Sequence, residues 1–171
     1  MLAKLAGVYS VAKFTLGIPL PYSTHEAREW IAGLAGKKAL GTEHIYALYL
    51  TCKSLTHKSR LIGAISLSIE PEHRRIEIGY WLGEAFRGSG YAQEALNLLM
   101  PEIFSAGFIR IYALCFPDNT DSMRLLRRLY FIREGRLRQH IVKWGEACDV
   151  ICFGLTAARF SSKTNLSKKM E

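Results

Sequence analysis

Apolar and polar residues alternate in some segments of this chain and recur at helical spacing in others. Between Ile76 and Leu82 the side chains follow a period of two, which predicts a β-strand. In the next segment the apolar residues predict one face of a helix, formed by Ala92, Ala95, Leu96, Leu99 and Ile103. A glycine-rich turn, Arg87–Ala92, separates the two elements. The centre of the chain therefore predicts strand, turn and helix in direct succession.

Other patterns predict the remaining helices. Pro101 lies near the end of the central helix and is expected to kink or loosen it, because proline lacks an N–H group. Further helices are predicted over residues 1–13, after the capping-box pattern at Ser23–Glu26, and after the loop at Pro117–Asp121.

Runs rich in β-branched and aromatic residues predict the remaining strands, at 45–51, 61–69, 110–116, 136–144 and 148–155. A polar loop around Lys53–Ser59 separates the first two. Short connections favour antiparallel pairing at the start of the sheet, whereas strand, helix and strand around the glycine-rich turn favour a parallel pair. The elements predict an α/β or α+β fold with a mixed sheet. We expect a single domain over residues 1–160, followed by a polar, disordered tail over residues 161–171.

The glycine-rich turn has the composition of a phosphate-binding site. Its residues are Arg87, Gly88, Ser89, Gly90, Tyr91 and Ala92, and their N–H groups would gather at a helix N-terminus. No Lys-Ser or Lys-Thr pair follows, which excludes a P-loop. Gln93 stands where a dinucleotide fingerprint needs its third glycine or alanine, which excludes that motif as well.

Composition limits the class of protein. The chain has 171 residues and about half of them are hydrophobic, as in a soluble globular domain. No apolar run reaches the roughly 18 residues of a membrane span, and no signal peptide is recognised. The four cysteines form no CxxC pair and the five histidines have no metal-ligand spacing. These features predict a cytoplasmic protein without disulfides or a metal.

The net charge of +8 allows several interpretations. Six arginines lie in one window of fifteen residues: Arg124, Arg127, Arg128, Arg133, Arg136 and Arg138. A solvated basic face, an anionic cofactor and an RNA or ribosomal surface all remain open at this point.

Three polar residues are candidates for chemistry. Glu77 lies on the strand that enters the turn and could accept a proton from an amine; alternatively it pairs with Arg74 or Arg75 on an exposed face. Asn119 and Ser122 could contact a ligand, although both also suit the start of a helix.

In this order, these residues resemble the GCN5-related N-acetyltransferase (GNAT) superfamily, and within it the RimJ/RimL-type ribosomal-protein N-terminal acetyltransferases. The resemblance covers about residues 14–156. It rests on Pro19–Tyr22 with Trp30-Ile31, Glu77–Leu82, Arg87–Ala92 with Glu94–Leu96, Asn119 with Ser122, Leu125-Leu126, Phe131, Glu134-Gly135, Leu137-Arg138, Trp144 and Asp149.

The resemblance implies a fold and a set of roles. The fold would have a mostly antiparallel sheet whose central parallel strands splay apart, with helices on its faces. The turn residues Arg87–Ala92 would bind the pyrophosphate of acetyl-CoA, and Trp81, Leu82 and Asn119 would contact its pantetheine arm. Glu77 would be the general base and Ser122 would protonate or orient the leaving thiolate.

The sequence also departs from the family pattern. The family's first strand has no counterpart, because Met1 stands within the first predicted helix. Tyr130 stands where the family pattern has a glycine. Leu126 stands where many members have a tyrosine that acts as the general acid. Ser122 is then the one candidate for the general acid in this segment.

The leading hypothesis is an acetyl-CoA-dependent N-acetyltransferase acting on a primary amine, either a protein N-terminus or a small amine. Ribosomal proteins are possible acceptors, and the chain is expected to be a monomer or homodimer. The alternatives are a catalytically weak CoA-binding module and a basic RNA- or ribosome-binding protein.

Overall fold

A computed structural model describes residues 1–51 and 59–167, with side chains up to residue 164. The first helices are α1 (Leu2–Ala6), α2 (Tyr9–Ala12) and α3 (Thr24–Ala39). They are followed by β1 (Glu43–Thr51), β2 (Ser59–Glu70), β3 (Arg75–Leu82), α4 (Tyr91–Ser105) and β4 (Arg110–Cys115). The chain continues with α5 (Thr120–Arg128), β5 (Ile132–Lys143), β6 (Glu146–Thr156) and α6 (Ala157–Ser167).

Within the described residues, six strands form one sheet in the order β1-β2-β3-β4-β6-β5. The pairs β1–β2, β4–β6 and β5–β6 are antiparallel, whereas β3 and β4 are parallel. The parallel ladder joins Arg75–Glu77 to Arg110–Tyr112. The predicted mixed sheet, with its parallel pair across the strand–turn–helix unit, is confirmed.

The chain forms two compact units. The first contains residues 1–68 and 79–95, and the second contains residues 69–78 and the chain from residue 96 onward. In the first unit, α3 begins with the predicted capping box: Ser23 Oγ accepts from the Glu26 amide at 3.1 Å, and the Ser23 amide donates to the Glu26 carboxylate at 2.7 Å. Its core includes Val11, Ile62 and Ile65.

The core of the second unit follows from the alternation along its strands. Ile76 and Ile111 are register partners in the parallel ladder, and both are almost completely buried. The side chains of Phe153 on β6 and Leu126 on α5 are fully buried as well. The α4 helix continues past Pro101 to Ser105, so the proline does not end it.

Two helical predictions require correction. Residues 1–13 were expected to form one helix, but they form two short ones, α1 and α2. The disordered tail predicted for residues 161–171 is wrong for residues 161–167, which belong to α6. Phe160 stabilises this helix by packing on Phe104, with 4.9 Å between ring centroids.

Other differences are local. The strand predicted from residue 136 begins at Ile132, because it pairs with β6 from there onward. Tyr130, which replaces the family's glycine, adopts a φ of +69°, the left-handed backbone conformation that favours glycine. Cys52 and most of the predicted loop around Lys53–Ser59 lie outside the described residues.

Candidate functional site

The glycine-rich turn exposes main-chain groups at the start of α4. Gly88 and Gly90 have φ values of +76° and +85°, a region that L side chains rarely adopt. A Cβ atom added to either glycine would meet nothing within 4 Å, so the space beside the turn is open. The Glu94 amide donates to Gly90 O at 3.0 Å as the helix begins. This arrangement presents N–H groups at the N-terminus of a fifteen-residue helix, as an anion requires.

The Arg87 side chain connects the turn to two other segments of the first unit. Its Nε donates to Leu82 O at 3.2 Å, and one terminal nitrogen donates to Ser10 O at 2.9 Å. Arg87 therefore connects the turn to the end of β3 and to α2.

Trp81 and Leu82 lie directly against β2. A Cβ atom added to Gly63 would stand only 2.2 Å from the Trp81 carbonyl oxygen, so this contact requires glycine. The Gly83 amide donates to Ile62 O at 2.9 Å at the end of the strand. One side of this main chain is thus fixed by close packing on β2.

Asn119 and Ser122 lie in the second unit, at the start of α5. Asn119 Oδ1 accepts from the Ser122 amide at 3.2 Å, which confirms the capping interpretation of Asn119. Ser122 Oγ is 3.1 Å from Cys115 Sγ. Burial is the main cause that raises the pKa of the Cys115 thiol. Leu126, at the family's tyrosine position, has no exposed surface.

Glu77 is half-buried on β3, opposite Tyr112 in the parallel ladder. Burial is the main cause that raises the pKa of the Glu77 carboxyl; the Tyr112 hydroxyl lowers this pKa, the charge of Glu70 raises it, and the net direction is upward. The alternative pairing with nearby arginines is wrong: Arg75 binds Glu70, and Arg74 donates to Gly107 O. An acid whose pKa is raised toward neutrality is suited to accept a proton.

Two residues beside Glu77 were not identified from the sequence. The Tyr112 hydroxyl donates to Glu70 Oε1 at 2.8 Å, and Tyr112 is the register partner of Glu77 in the parallel ladder. Both are ordinary strand residues in the sequence. The available signal was the position of Tyr112 between buried Ile111 and Ala113, which directs its side chain to the other face of β4.

Residues 2–132 match the protein family described as the acetyltransferase (GNAT) domain. The chain belongs to this family. The resemblance identified in the sequence is therefore confirmed. The predicted GNAT-like fold agrees with the similarity of this chain to solved acetyltransferase structures.

Among curated GNAT relatives, the ribosomal-protein-serine acetyltransferase of Escherichia coli (strain K12) is 39% identical over 84 residues. This match covers 48% of the chain and 47% of the relative. The uncharacterized N-acetyltransferase YoaA of Bacillus subtilis (strain 168) is 37% identical over 101 residues, 58% of the chain and 57% of the relative. The chain thus spans about half the length of these relatives.

Solved structures include the ribosomal L7/L12 alpha-N-protein acetyltransferase RimL. Its ligand-free form has a TM-score of 0.70 and 29% identity, covering 80% of this chain and 72% of that one. A second RimL structure, in complex with coenzyme A, has a TM-score of 0.69 and 29% identity over 78% and 73% of the two chains.

The basic window of this GNAT chain is partly paired. Arg124 binds Asp121 at 2.8 Å, Arg136 binds Asp149 at 2.7 Å, and Arg127 lies over the Phe153 ring at 5.6 Å. Several of these arginines therefore have structural partners within the second unit.

Across residues 1–51 and 59–167, no group of three His, Cys, Asp or Glu side chains is arranged to hold a metal ion. In the same part of the chain, no helix is both long and apolar enough to cross a membrane.

Proposed function

We propose that this chain transfers the acetyl group of acetyl-CoA to a primary amine. The observation that carries the proposal is the open, left-handed glycine turn at the start of α4 in a chain of the GNAT family. The turn Arg87–Ala92 would bind the pyrophosphate through the main-chain N–H groups that follow Arg87, because the Arg87 amide itself donates to Glu84 O at 3.3 Å. The coenzyme A complex of the RimL structure supports this choice of donor.

The remaining cofactor contacts come from Trp81, Leu82 and Asn119. The main chain of Trp81 and Leu82 would pair with the amides of the pantetheine arm, and Asn119 would contact the same arm. Close packing on Gly63 fixes this main chain before the ligand arrives, which lowers the entropic cost of binding.

The reaction is a direct attack without an acyl-enzyme. The amine nitrogen forms a bond to the thioester carbon, the carbon–sulfur bond breaks, and the electron pair leaves on the CoA sulfur. Glu77 takes the proton that the amine loses. Proximity and polarisation of the carbonyl by main-chain N–H groups supply most of the acceleration.

Ser122 would protonate or orient the leaving thiolate. Burial is the main cause that raises the pKa of the Cys115 thiol, so the thiol keeps its proton, and in its 3.1 Å contact with Ser122 Oγ either group can donate. We expect Ser122→Ala to lower kcat and to leave CoA affinity unchanged; an unchanged kcat would remove Ser122 from the mechanism.

The decisive experiment is Gly90→Asp, which places a negative charge where the pyrophosphate would bind. Calorimetric titration with CoA should show no detectable binding. Gly41→Asp is the matched control, because Gly41 also has a positive φ (+68°) and open space beside its Cβ position. If both variants bind CoA alike, the assignment of the turn is wrong.

The acceptor is a protein N-terminal α-amine or a small primary amine. The similarity to a ribosomal-protein-serine acetyltransferase makes peptides with an N-terminal serine the first acceptors to test. The assay follows release of the CoA thiol, with polyamines and aminoglycosides as the comparison set. The cytoplasmic location and the monomer or homodimer state stay predictions.

A second candidate is a CoA-binding module without transferase activity. One observation favours it: buried Leu126 occupies the position at which many family members have a tyrosine that acts as the general acid. Tight CoA binding without turnover against the whole amine panel would support the module and contradict the enzyme.

A further inference from the structure

The sheet has two edge strands, and they differ in how well they are protected. Among the described residues, β1 and β5 are the first and last strands of the order, and each has one neighbouring strand. An edge strand leaves the N–H and C=O groups of every second residue without a partner in the sheet, so another strand can pair with it. Proteins prevent such pairing with charged side chains, prolines and β-bulges along the edge.

The β5 edge carries charges and irregular backbone. Along it lie three arginines: Arg133, Arg136 and Arg138. The register of β5 against β6 shifts at two places, one of them between Leu137 and Ile141. Within this shift Gln139 has a φ of +48°, and its amide donates to Asp149 Oδ1 at 2.7 Å, which fixes the irregular backbone. The β5 edge is therefore protected against a further strand.

The β1 edge has none of these protections. Its nine residues, Glu43–Thr51, include no proline, lysine or arginine, and none of them has a positive φ. At the one register shift between β1 and β2, the residue without a partner is Ile62, which belongs to β2. The one carboxylate of β1, on Glu43, is bound by Lys37 Nζ at 2.6 Å. β1 is thus a continuous and almost uncharged edge strand.

Aromatic side chains are exposed along β1. Tyr46 is 43% exposed and Tyr49 is 57% exposed. Because successive side chains of a strand point to opposite faces, these two tyrosines lie on opposite faces of the sheet. Ala47, midway along the strand, is exposed as well. A strand that paired with β1 would cover apolar surface on both faces.

The order of residues in β1 makes the strand complementary to itself. When two copies run antiparallel about Ala47, each residue faces the residue that lies equally far on the other side of this centre. Tyr49 of one copy then faces Ile45 of the other, an aromatic and β-branched pair of the kind that stabilises antiparallel strands. Tyr46 likewise faces Leu48, and Ala47, the smallest side chain of the strand, faces itself on the two-fold axis. No two like charges oppose each other.

The same centre matches the main-chain hydrogen bonds. Two residues that face each other in an antiparallel pair exchange hydrogen bonds only if both direct their N–H and C=O groups toward the other strand. Pairing about Ala47 joins residues that are an even number of positions apart, so the groups that one copy leaves free meet those that the other leaves free. A centre between two residues would join residues an odd number apart and would lose this match.

We propose that the β1 edge binds the β1 edge of a second copy of this chain, antiparallel and centred on Ala47. A two-fold contact of this kind uses the same surface on both copies, so it closes as a dimer and does not extend into a fibre. Nine residues of each copy take part, and the outer main-chain groups of β1 gain partners. None of these residues belongs to the site of the proposed function.

Sedimentation equilibrium of the 171-residue chain measures the association. We expect the mass to approach twice 19.3 kDa as the protein concentration rises. Ala47→Lys places two ammonium groups opposite each other on the axis and should raise the dimer dissociation constant at least about 10-fold. Leu98→Lys is the matched control, because it adds the same charge at an exposed apolar position on α4; its dissociation constant should stay within about 2-fold of the native value. A native chain that stays monomeric, or a dimer that Ala47→Lys leaves intact, would overturn the proposal.

A cysteine cross-link tests the centre of the pairing without adding a charge to β1. In Ala47→Cys the two new thiols face each other with their Cα atoms about 4.5–5.5 Å apart, a distance that a disulfide spans. In the control, Tyr49→Cys, the two new thiols lie four residues apart along the paired strands, about 13 Å. With diamide as the oxidant, Ala47→Cys should give a disulfide-linked dimer in higher yield than Tyr49→Cys or the native chain with its four cysteines. Equal yields at positions 47 and 49, or a yield at position 47 no higher than that of the native chain, would refute the pairing about Ala47.

Discussion

Gly63→Ala tests how closely the end of β3 is packed on β2. The added Cβ atom would lie 2.2 Å from Trp81 O and 2.7 Å from a methyl group of Leu82, whereas ordinary contact begins at 3.4 Å. The closest atom belongs to the main chain, so a side-chain rotation cannot relieve the clash. The main chain at Trp81 must move away from β2.

The expected loss in the free energy of unfolding follows from overpacking. Substitutions that force backbone shifts in a packed interior cost about 1–3 kcal/mol. For a chain of this length that lowers the thermal midpoint by about 2 to 12 °C. If Trp81 loses one main-chain hydrogen bond to the pantetheine arm, the CoA dissociation constant rises about 2- to 10-fold.

Thermal unfolding and calorimetric CoA titration measure both effects. Gly135→Ala is the matched control, because Gly135 also lies in a strand but its Cβ position is open. Its unfolding free energy should stay within about 1 kcal/mol of the native value. If Gly63→Ala and Gly135→Ala have equal thermal midpoints and equal CoA affinities, the close packing of Trp81 on Gly63 is refuted.

Three further substitutions test the fold. Ser23→Ala removes the cap of α3, should cost about 0.5–2 kcal/mol, and should accelerate hydrogen exchange at the Glu26 amide; unchanged exchange would exclude the capping bond. Leu126→Ala should lower the free energy of urea unfolding by about 2–5 kcal/mol, and a loss below 1 kcal/mol (about one methylene) would contradict its full burial. Hydrogen bonds from Arg110 lower the pKa of Glu134, so its stabilisation is present at neutral pH and lost as pH falls through that pKa. The stability difference between the native chain and Glu134→Gln should therefore shrink in acid; a difference that does not change with pH would refute the pairing.

Local signals predicted much of the fold. The capping box at Ser23 and Glu26 depends on residues three apart, so the sequence alone identifies it. The strand, glycine turn and helix around Arg87–Ala92 are contiguous, and their order predicted the parallel pair of β3 and β4. Glu77 became a candidate for the same reason, because it lies on the strand of this unit.

Contacts between distant segments could not be predicted in this way. Tyr112 and Glu70 are 42 residues apart and meet because of the strand register, which no local pattern specifies. The tail was assigned to disorder from its polar composition. Its helix α6 depends on packing of Phe160 against Phe104, a contact between residues far apart in the sequence. Both omissions have the same cause, tertiary contacts that override local preference.

The contacts of Arg87 have a consequence for ionic strength. Its guanidinium donates to the carbonyl oxygens of Leu82 and Ser10, so part of its hydrogen-bonding capacity is used within the protein. Salt screens full charges exposed to solvent much more than it weakens short main-chain hydrogen bonds. If this turn binds a phosphate through its N–H groups, as proposed above, that binding should be less sensitive to added salt than the net charge of +8 would suggest.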